Sequence, residues 1–456
     1  MKKPEILAPA GDFTCLQAAI DAGADAVYFG LGTFNMRARS GVNFKVEDLP
    51  EIARRCGADL EAPRRGGTSG TRVVKRYLTL NAIMFEGEVA EVEETIKAAV
   101  PYVDAFIVSD WGVISLVKKH GGVVHVSTQM STSNSLAVKF LAAQGVERVV
   151  LARECALGEV KRISEAAGAP VAPRIAPPSE LASLGGYEDG DGTVRGVELE
   201  CFVHGAQCVA QSGRCFMSHS IFGKSACRGE CTQPCRRRFL VKAVDLYEND
   251  QGAPVHEGKT EFLVEPHTVL STKDLCSLGF VDKLIDAGIA SFKIEGRARN
   301  AEYVKTTVEC YRRAVDAVMN GTYTPALVAE LTTEVKKVFH REFSDGMYFG
   351  RPGVDQFTDT EDSLSTTVKR HIGIVIDYYL KAQIAQVKIQ DHAIAVGDTV
   401  QIHGPTTGVQ ETVITELHRD EERPTRAEKG TWVTFRAPRC RVGDKVFFVE
   451  QRNLGV

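Results

Sequence analysis

Over its first three hundred residues the chain repeats one unit: a short β-branched or aromatic run, a few polar or glycine residues, then an amphipathic helical stretch. Eight runs read as strands: Glu5–Ala8, Ala26–Gly30, Arg76–Asn81, Ala105–Asp110, Val124–Thr128, Arg148–Glu154, Val197–His204 and Ser291–Gly296. Most are continuously apolar, as strands covered on both faces must be. Helical periodicity separates them at Phe13–Ala22, Val46–Cys56, Glu88–Ala99, Gly112–Lys119, Ser135–Gln144 and Leu157–Ala167. Alternating strand and helix imply an α/β fold with a parallel sheet, and eight such strands close a (β/α)8 TIM-like barrel. An open doubly wound sheet is the alternative arrangement.

Two more helices follow at Ala301–Asn320 and Leu327–Phe339, and then the pattern changes. A stretch rich in Gly, Asp, Ser and Thr begins near Glu342 and reads as a linker. From His371 onward come short strands at Ile372–Tyr378, Gln383–Ile389, Thr399–Ile402, Glu411–Leu417, Trp432–Phe435 and Lys445–Phe448, separated by turn signals such as Gly397-Asp398 and Gly443-Asp444. These predict a small all-β barrel domain. The expected division is a barrel domain at 1–345, a linker at 346–370 and a C-terminal β-barrel at 371–456. A length of 456 residues suits two or three domains at ~150 residues each.

Hydrophobic residues make up 44% and charged residues 25%, enough apolar surface for real cores and too much for a disordered chain. Lys and Arg number 55 against 59 Asp and Glu, so a uniformly basic nucleic-acid coat is excluded. No run approaches the ~20 apolar residues of a membrane span, and the N-terminus lacks the apolar core of a signal peptide. A cytoplasmic protein is expected.

Twelve cysteines are present, and six of them (Cys201, Cys208, Cys215, Cys227, Cys231 and Cys235) fall in one short segment. That segment opens a long insertion, 205–266, between the seventh and eighth strands, and insertions of such length are usually functional or disordered. In a reducing compartment clustered thiols point to metal binding or catalysis rather than disulfides. Cys208, Cys215, Cys231 and Cys235 have the spacing C-x6-C-x15-C-x3-C. Zinc sites usually use two tight pairs, whereas here only the second pair is tight. The spacing favours iron–sulfur and leaves zinc open. Cys201 and Cys227 read as buried small hydrophobes.

Polar residues that follow barrel strands should meet at one rim, where barrel enzymes hold their chemistry. The candidates are Asn35, Arg37, Arg39, Asn81, Ser109, Asp110, Gln129, Asn134, Arg153, Glu154, His204, Lys293, Glu295 and Arg297. Each could equally be a loop cap or an ion-pair partner. The arginine-containing stretch Pro63–Arg72 reads as a solvated loop.

The blocks Pro4–Asp12, Gly23–Tyr28, Glu200–Ser218, Gly229–Arg236, Ser271–Leu275 and Phe292–Arg297 resemble, in order, the collagenase-like peptidase family U32. The length and the added β-domain are most similar to the branch that hydroxylates tRNA. The resemblance implies a 4Fe-4S cluster on Cys208, Cys215 and Cys231, with Cys235 as the fourth ligand and Cys276 as its rival. It also implies hydroxylation without O2, with prephenate as hydroxyl source and C5 of the tRNA wobble uridine as target. Within the family the alternatives are a collagenase-like peptidase, or hydroxylation of ribosomal RNA or a quinone precursor. The Pro63–Arg72 loop is longer and richer in arginine than the family pattern.

A dicarboxylate co-substrate needs fixed cations: Arg37, Arg39 and Arg297, with Lys293 as a point charge. Asn81 and Gln129 could add amide contacts. His204 could move a proton, or orient the cysteine loop. Glu295 could be a base, or pair with Lys293 or an arginine. Lys224, Arg228, Arg236, Arg237 and Arg238 form a basic run that suits either RNA phosphates or plain solvent. Peptidase machinery is not visible, since His-Glu-x-x-His and Gly-x-Ser-x-Gly are both absent. A zinc-stapled RNA-binding protein without catalysis is the third reading.

Overall fold

The computed structural model describes residues 2–39, 41–58, 73–168, 187–188, 194–211, 214–244, 247–248, 254–255, 261–264, 270–360 and 362–452. The Pro63–Arg72 loop lies outside them. Eight strands form the staves of a closed parallel barrel: β1 (Glu5–Pro9), β2 (Ala26–Phe29), β3 (Lys75–Leu80), β4 (Ala105–Val108), β5 (Val124–Val126), β6 (Arg148–Val150), β7 (Glu198–Gly205) and β8 (Ser291–Ile294). Each pairs with the next, and β8 returns to β1 through Glu5↔Ser291 and Ile6↔Phe292. All eight predicted runs supply a stave, and the doubly wound alternative is set aside.

The helices α1 (Phe13–Asp21), α2 (Leu49–Arg55), α3 (Val89–Ala99), α4 (Trp111–Lys119), α5 (Ser135–Ala143) and α6 (Leu157–Ala167) follow the first six staves. Short α7 (Met217–Phe222) belongs to the cysteine segment; α8 (Val281–Asp286) precedes β8, and α9 (Ala301–Met319) and α10 (Pro325–Lys336) follow it. Several starts are set by a side-chain oxygen on a free helix N–H: Asp12 on Cys15, Asp110 on Val113, Asn134 on Ala137 and Asn300 on Tyr303. Helix α9 buries Tyr303, Val304, Val308, Tyr311, Ala314 and Val315 against the barrel, the periodicity seen in its sequence.

The core has two layers. Outward residues of the staves (Ile6, Ala8, Val27, Phe29, Leu78, Leu80, Phe106, Val108) pack under the helices, while Leu7, Ala26, Tyr28, Tyr77, Ala105 and Ile107 fill part of the barrel interior. The rest of that interior is charged. Arg148 is 2% exposed and holds Glu5 at 2.6 Å, Glu198 at 2.5 Å and Glu200 at 3.3 Å; Glu200 in turn holds Lys293 at 2.8 Å.

A short strand, Asp274–Cys276, adds antiparallel to β7 outside the ring and is extended by Phe343–Ser344. Its three residues have no period a sequence could display. The 346–370 stretch, expected as a linker, is tied down on the barrel. Tyr348 donates its hydroxyl to the Phe202 carbonyl at 2.7 Å, and backbone bonds join Lys273 to Gln356, Thr358 to Ser271, Leu364 to His340 and Thr366 to Lys336. Aromatic side chains and these main-chain bonds supply what its polar composition conceals.

The C-terminal domain is a six-stranded antiparallel sheet over one core, with strands β9 (Thr367–Tyr379), β10 (Ile384–Ile389), β11 (Thr399–Gly404), β12 (Gly408–Val413), β13 (Trp432–Arg436) and β14 (Lys445–Gln451) in the order β12-β11-β14-β9-β10-β13. It sits against α1 and α9. Lys369 pairs with Glu302 at 2.5 Å, Lys305 donates to the Val409 carbonyl at 3.0 Å, and a Cβ on Gly408 would meet Asp21 at 2.9 Å. Among the described residues no helix is long and apolar enough to cross a membrane.

Candidate active site

The carboxyl ends of the staves open into a cavity that reaches solvent. Tyr28, Arg37, Thr79, Asn81, Ser127, Gln129, Arg153, Phe202, Lys293, Glu295 and Arg297 come up from the staves and the loops after them. The insertion closes over them with Cys208, Cys215, Met217, Ser218, Cys231, Gln233, Cys235 and Arg236. Cavity and cysteines therefore meet where the barrel topology predicts chemistry.

Cations dominate the floor. Lys293 lies 4.8 Å over the Tyr28 ring, and burial, only partly offset by Glu200, pushes its ammonium below the usual lysine range. Arg297 donates to Asn35 Oδ1 at 3.0 Å and Thr79 Oγ1 at 2.8 Å, and burial lowers its guanidinium to about 10. Gly30 is required at this spot, because a Cβ there would meet the Asn35 side chain at 2.6 Å and the Arg297 guanidinium at 2.8 Å. Arg153 stacks 3.9 Å over Phe202 and donates to the Ala206 carbonyl at 2.7 Å, while its buried Nε has no partner. The residue as a whole lines the cavity, so its guanidinium adds to the positive charge there.

Glu295 is the anion on this floor. Burial alone would raise its carboxyl, but Arg37, Arg299 and Arg153 outweigh burial and hold it below the usual range. Arg37 contacts it at 2.7 Å. An ionised, tightly paired carboxylate suits the structural role better than that of a base.

The cysteine loops are fastened to this floor from two sides. Arg236 is buried and donates to the carbonyls of Gln207 and Thr272 and, at 3.3 Å, to Ser271 Oγ. It bolts the Cys208 loop to the Cys235 turn and is no part of an exposed basic rim. Gly229, at φ +78°, presses its backbone on Asn35 and Ala38, where a Cβ would sit 2.3 Å from the Asn35 carbonyl oxygen. Gly229→Ala is therefore expected to unseat the turn carrying Cys231, lowering thermal stability with helicity by circular dichroism unchanged. Arg228 also turns inward, pairing with Glu88 at 2.5 Å and lying 4.3 Å over Phe85, which leaves Lys224, Arg237 and Arg238 exposed.

Cys208, Cys215, Cys231 and Cys235 surround one cavity. Burial raises the Cys235 thiol, and the neighbouring Cys208, Cys231 and Cys215 add to that rise against Arg236. Yet no three of the described Cys, His, Asp and Glu side chains converge tightly enough to hold a single ion. Tetrahedral zinc needs all its thiolates at ~2.3 Å from one centre. Four thiols lining one cavity are soft donors of the kind that an iron–sulfur cluster takes, one for each iron. The donor set fits the group that the resemblance implies.

Cys276 does not line the cavity. It is buried on the added strand opposite His204 and accepts from the Tyr311 hydroxyl at 3.9 Å; burial pushes its thiol up to about 11. Cys201 is buried under the helices, as expected of a small hydrophobe, whereas Cys227 is half-buried, with its carbonyl taking the Ile83 N–H at 3.2 Å.

His204 also lies elsewhere. Glu200 and Phe202 face the interior, and simple alternation would add His204, but the β7–β8 register slips between Lys293 and Ile294. The bulge turns His204 outward, 5.5 Å from the rings of Tyr311 and Phe343, and burial lowers its imidazole to about 3. His204→Phe should accordingly keep kcat/KM within about threefold while altering thermal stability, since only packing is changed. Arg39 is displaced as well: its side chain is 68% exposed and paired with Glu230 at 3.0 Å. Asn81 lines the cavity but spends its amide on Met36 N and Ser127 Oγ, both at 3.2 Å. Gln129 lines it too, its carbonyl held by Arg214 at 3.1 Å. Arg153 belongs with the site residues, and its place at the end of the sixth strand was the available signal.

The barrel and this site have relatives. The model of "Peptidase family U32" matches residues 11–358. A "Collagenase" of Porphyromonas gingivalis is 36% identical, covering 98% of each chain. A "tRNA hydroxylation protein P1" of Bacillus subtilis is 30% identical, covering 89% of this chain and 84% of its own. A 23S rRNA 5-hydroxycytidine synthase of Escherichia coli is 32% identical, covering 76% of this chain and 46% of its own. With the family model matching residues 11–358, most of the chain and the whole cysteine segment, the chain belongs to peptidase family U32.

Proposed function

We propose that this protein hydroxylates RNA without O2, using a 4Fe-4S cluster held by Cys208, Cys215, Cys231 and Cys235, and that its target is C5 of the tRNA wobble uridine with prephenate as hydroxyl source. The observation that carries the reading is the ring of four cysteines over a cation-lined cavity at the carboxyl end of the barrel. Relatives whose names state tRNA hydroxylation and rRNA 5-hydroxycytidine synthesis support it. When bound, the cluster would supply electron transfer or an electron-accepting iron site.

The residues of the chain do the rest. Arg153 and Lys293, both lining the cavity, fix the carboxylates of the co-substrate, and Arg297 supplies charge from behind. Phe202 and Tyr28 keep the floor dry beneath them. Removing one charged donor costs ~1.5–3 kcal/mol. Arg153→Ala should then reduce kcat/KM on the order of 10- to 150-fold, mainly through KM for the anionic co-substrate, with iron content unchanged.

Mass spectrometry of tRNA nucleosides from a deletion strain tests the reading: 5-hydroxyuridine and its derivatives should vanish. If that pool is intact while a ribosomal RNA modification or a quinone is lost, the substrate is misassigned. The name of the 36% relative favours peptide hydrolysis as a second reading. Against it, no histidine is among the residues lining the cavity, so the described residues offer no thiol–imidazole or hydroxyl–imidazole pair there.

A further inference from the structure

We propose that Phe216, resting on the RNA reading above, is the platform on which an unpaired nucleotide stacks while its neighbour enters the cavity. Phe216 stands between Cys215 and Met217, both of which line the cavity, yet its own side chain is 79% exposed and its nearest ring, His219, is an edge contact at 6.4 Å. It is thus an aromatic face at the mouth of the site, set there by α7 rather than by a core. Ile221 and Phe222 on the same short helix are 46% and 40% exposed.

Charge identifies the occupant. From Arg214 to Gly229 the chain has no acidic residue, while it presents Arg214, His219 and Lys224, and Arg237 lies 5.0 Å over the Phe222 ring. Exposed aromatic faces interleaved with cations, without carboxylates, suit an anionic polymer with flat groups, which is single-stranded nucleic acid. An acidic peptide would satisfy the cations but leave the rings unmatched. The shape of the site points the same way. The cysteines share one cavity with the buried floor residues Lys293 and Arg297, and a base stacked in a duplex must be extruded or already unpaired to enter it. The flanking base then loses a stacking partner, and Phe216 replaces it.

Fluorescence anisotropy of the cluster-loaded protein with a labelled short oligouridylate, and with a fully paired hairpin, tests this. Wild type should bind the single strand more tightly than the hairpin. Phe216→Ala should weaken single-strand binding roughly 5- to 150-fold, the range for loss of one stacked base, while Phe216→Trp retains it. Lys224→Ala should reduce the salt dependence by about one ion. Equal affinity of wild type and Phe216→Ala for the oligouridylate overturns the platform and leaves the RNA reading standing. Equal binding of strand and hairpin overturns it too. Wild type that binds no RNA overturns the parent reading instead.

Discussion

Alanine at Cys235 is expected to abolish the visible absorption of the anaerobically purified protein, strip most of its iron and sulfide, and reduce RNA hydroxylation to background. Alanine at Cys276 should leave all three at wild-type levels. The contrast follows from position. Cys235 lines the cavity with three other cysteines that raise its thiol, whereas Cys276 is buried outside the ring against Tyr311. Its thiol, pushed up to about 11, would have to be deprotonated and turned through the wall of the barrel to reach the same centre. Iron and sulfide assay beside an absorption spectrum reads the result, and a Cys276→Ala protein that loses its cluster while Cys235→Ala keeps it would reverse the ligand assignment.

The second large effect is on stability. Arg148→Met removes the cation shared by Glu5, Glu198 and Glu200 inside the barrel, and stranding buried carboxylates in this way costs about 3–5 kcal/mol. For a protein of this size that lowers Tm by roughly 3–7 °C. The sign with pH is fixed. Burial by itself raises the Glu198 carboxyl, but Arg148 and Lys2 outweigh it and bring it down to about 2; Glu5 is lowered likewise. Folded values below the unfolded ones mean stabilisation that is complete above the ordinary glutamate range and lost as pH falls toward the folded values. In Arg148→Met the largest opposing charge is gone and only weaker partners such as Lys2 and Lys75 still offset burial, so those carboxyls take up protons more readily when folded. The Tm gap between variant and wild type should be widest near about pH 8 and narrow toward about pH 5. Calorimetry at both values checks it; a gap that widens on acidification would contradict the account of the network.

The barrel was legible because most staves are continuous apolar runs followed by a helix with its own period, as in Ala26–Phe29 before α2 or Ala105–Val108 before α4. The cysteine ring was legible from clustering alone. What stayed hidden depends on a few ångströms of three-dimensional placement. A single register slip beside Lys293 turns His204 out of the site, and nothing in Glu200-Cys201-Phe202-Val203-His204 announces it. Arg236 and Arg228 look like their basic neighbours, yet one finds the carbonyls of Gln207 and Thr272 and the other finds Glu88. Arg153 was visible as a rim residue, but its orphaned Nε and its seat on Phe202 exist only once β6 and β7 are side by side.

The central claim, that the cysteine ring serves RNA hydroxylation, is tested most directly in one tube. The cluster-loaded protein is incubated under strict exclusion of air with unmodified tRNA and prephenate, and the nucleosides are resolved by mass spectrometry. The account predicts 5-hydroxyuridine that depends on the protein, the cluster and prephenate together. The same yield from protein freed of iron and sulfide would contradict it.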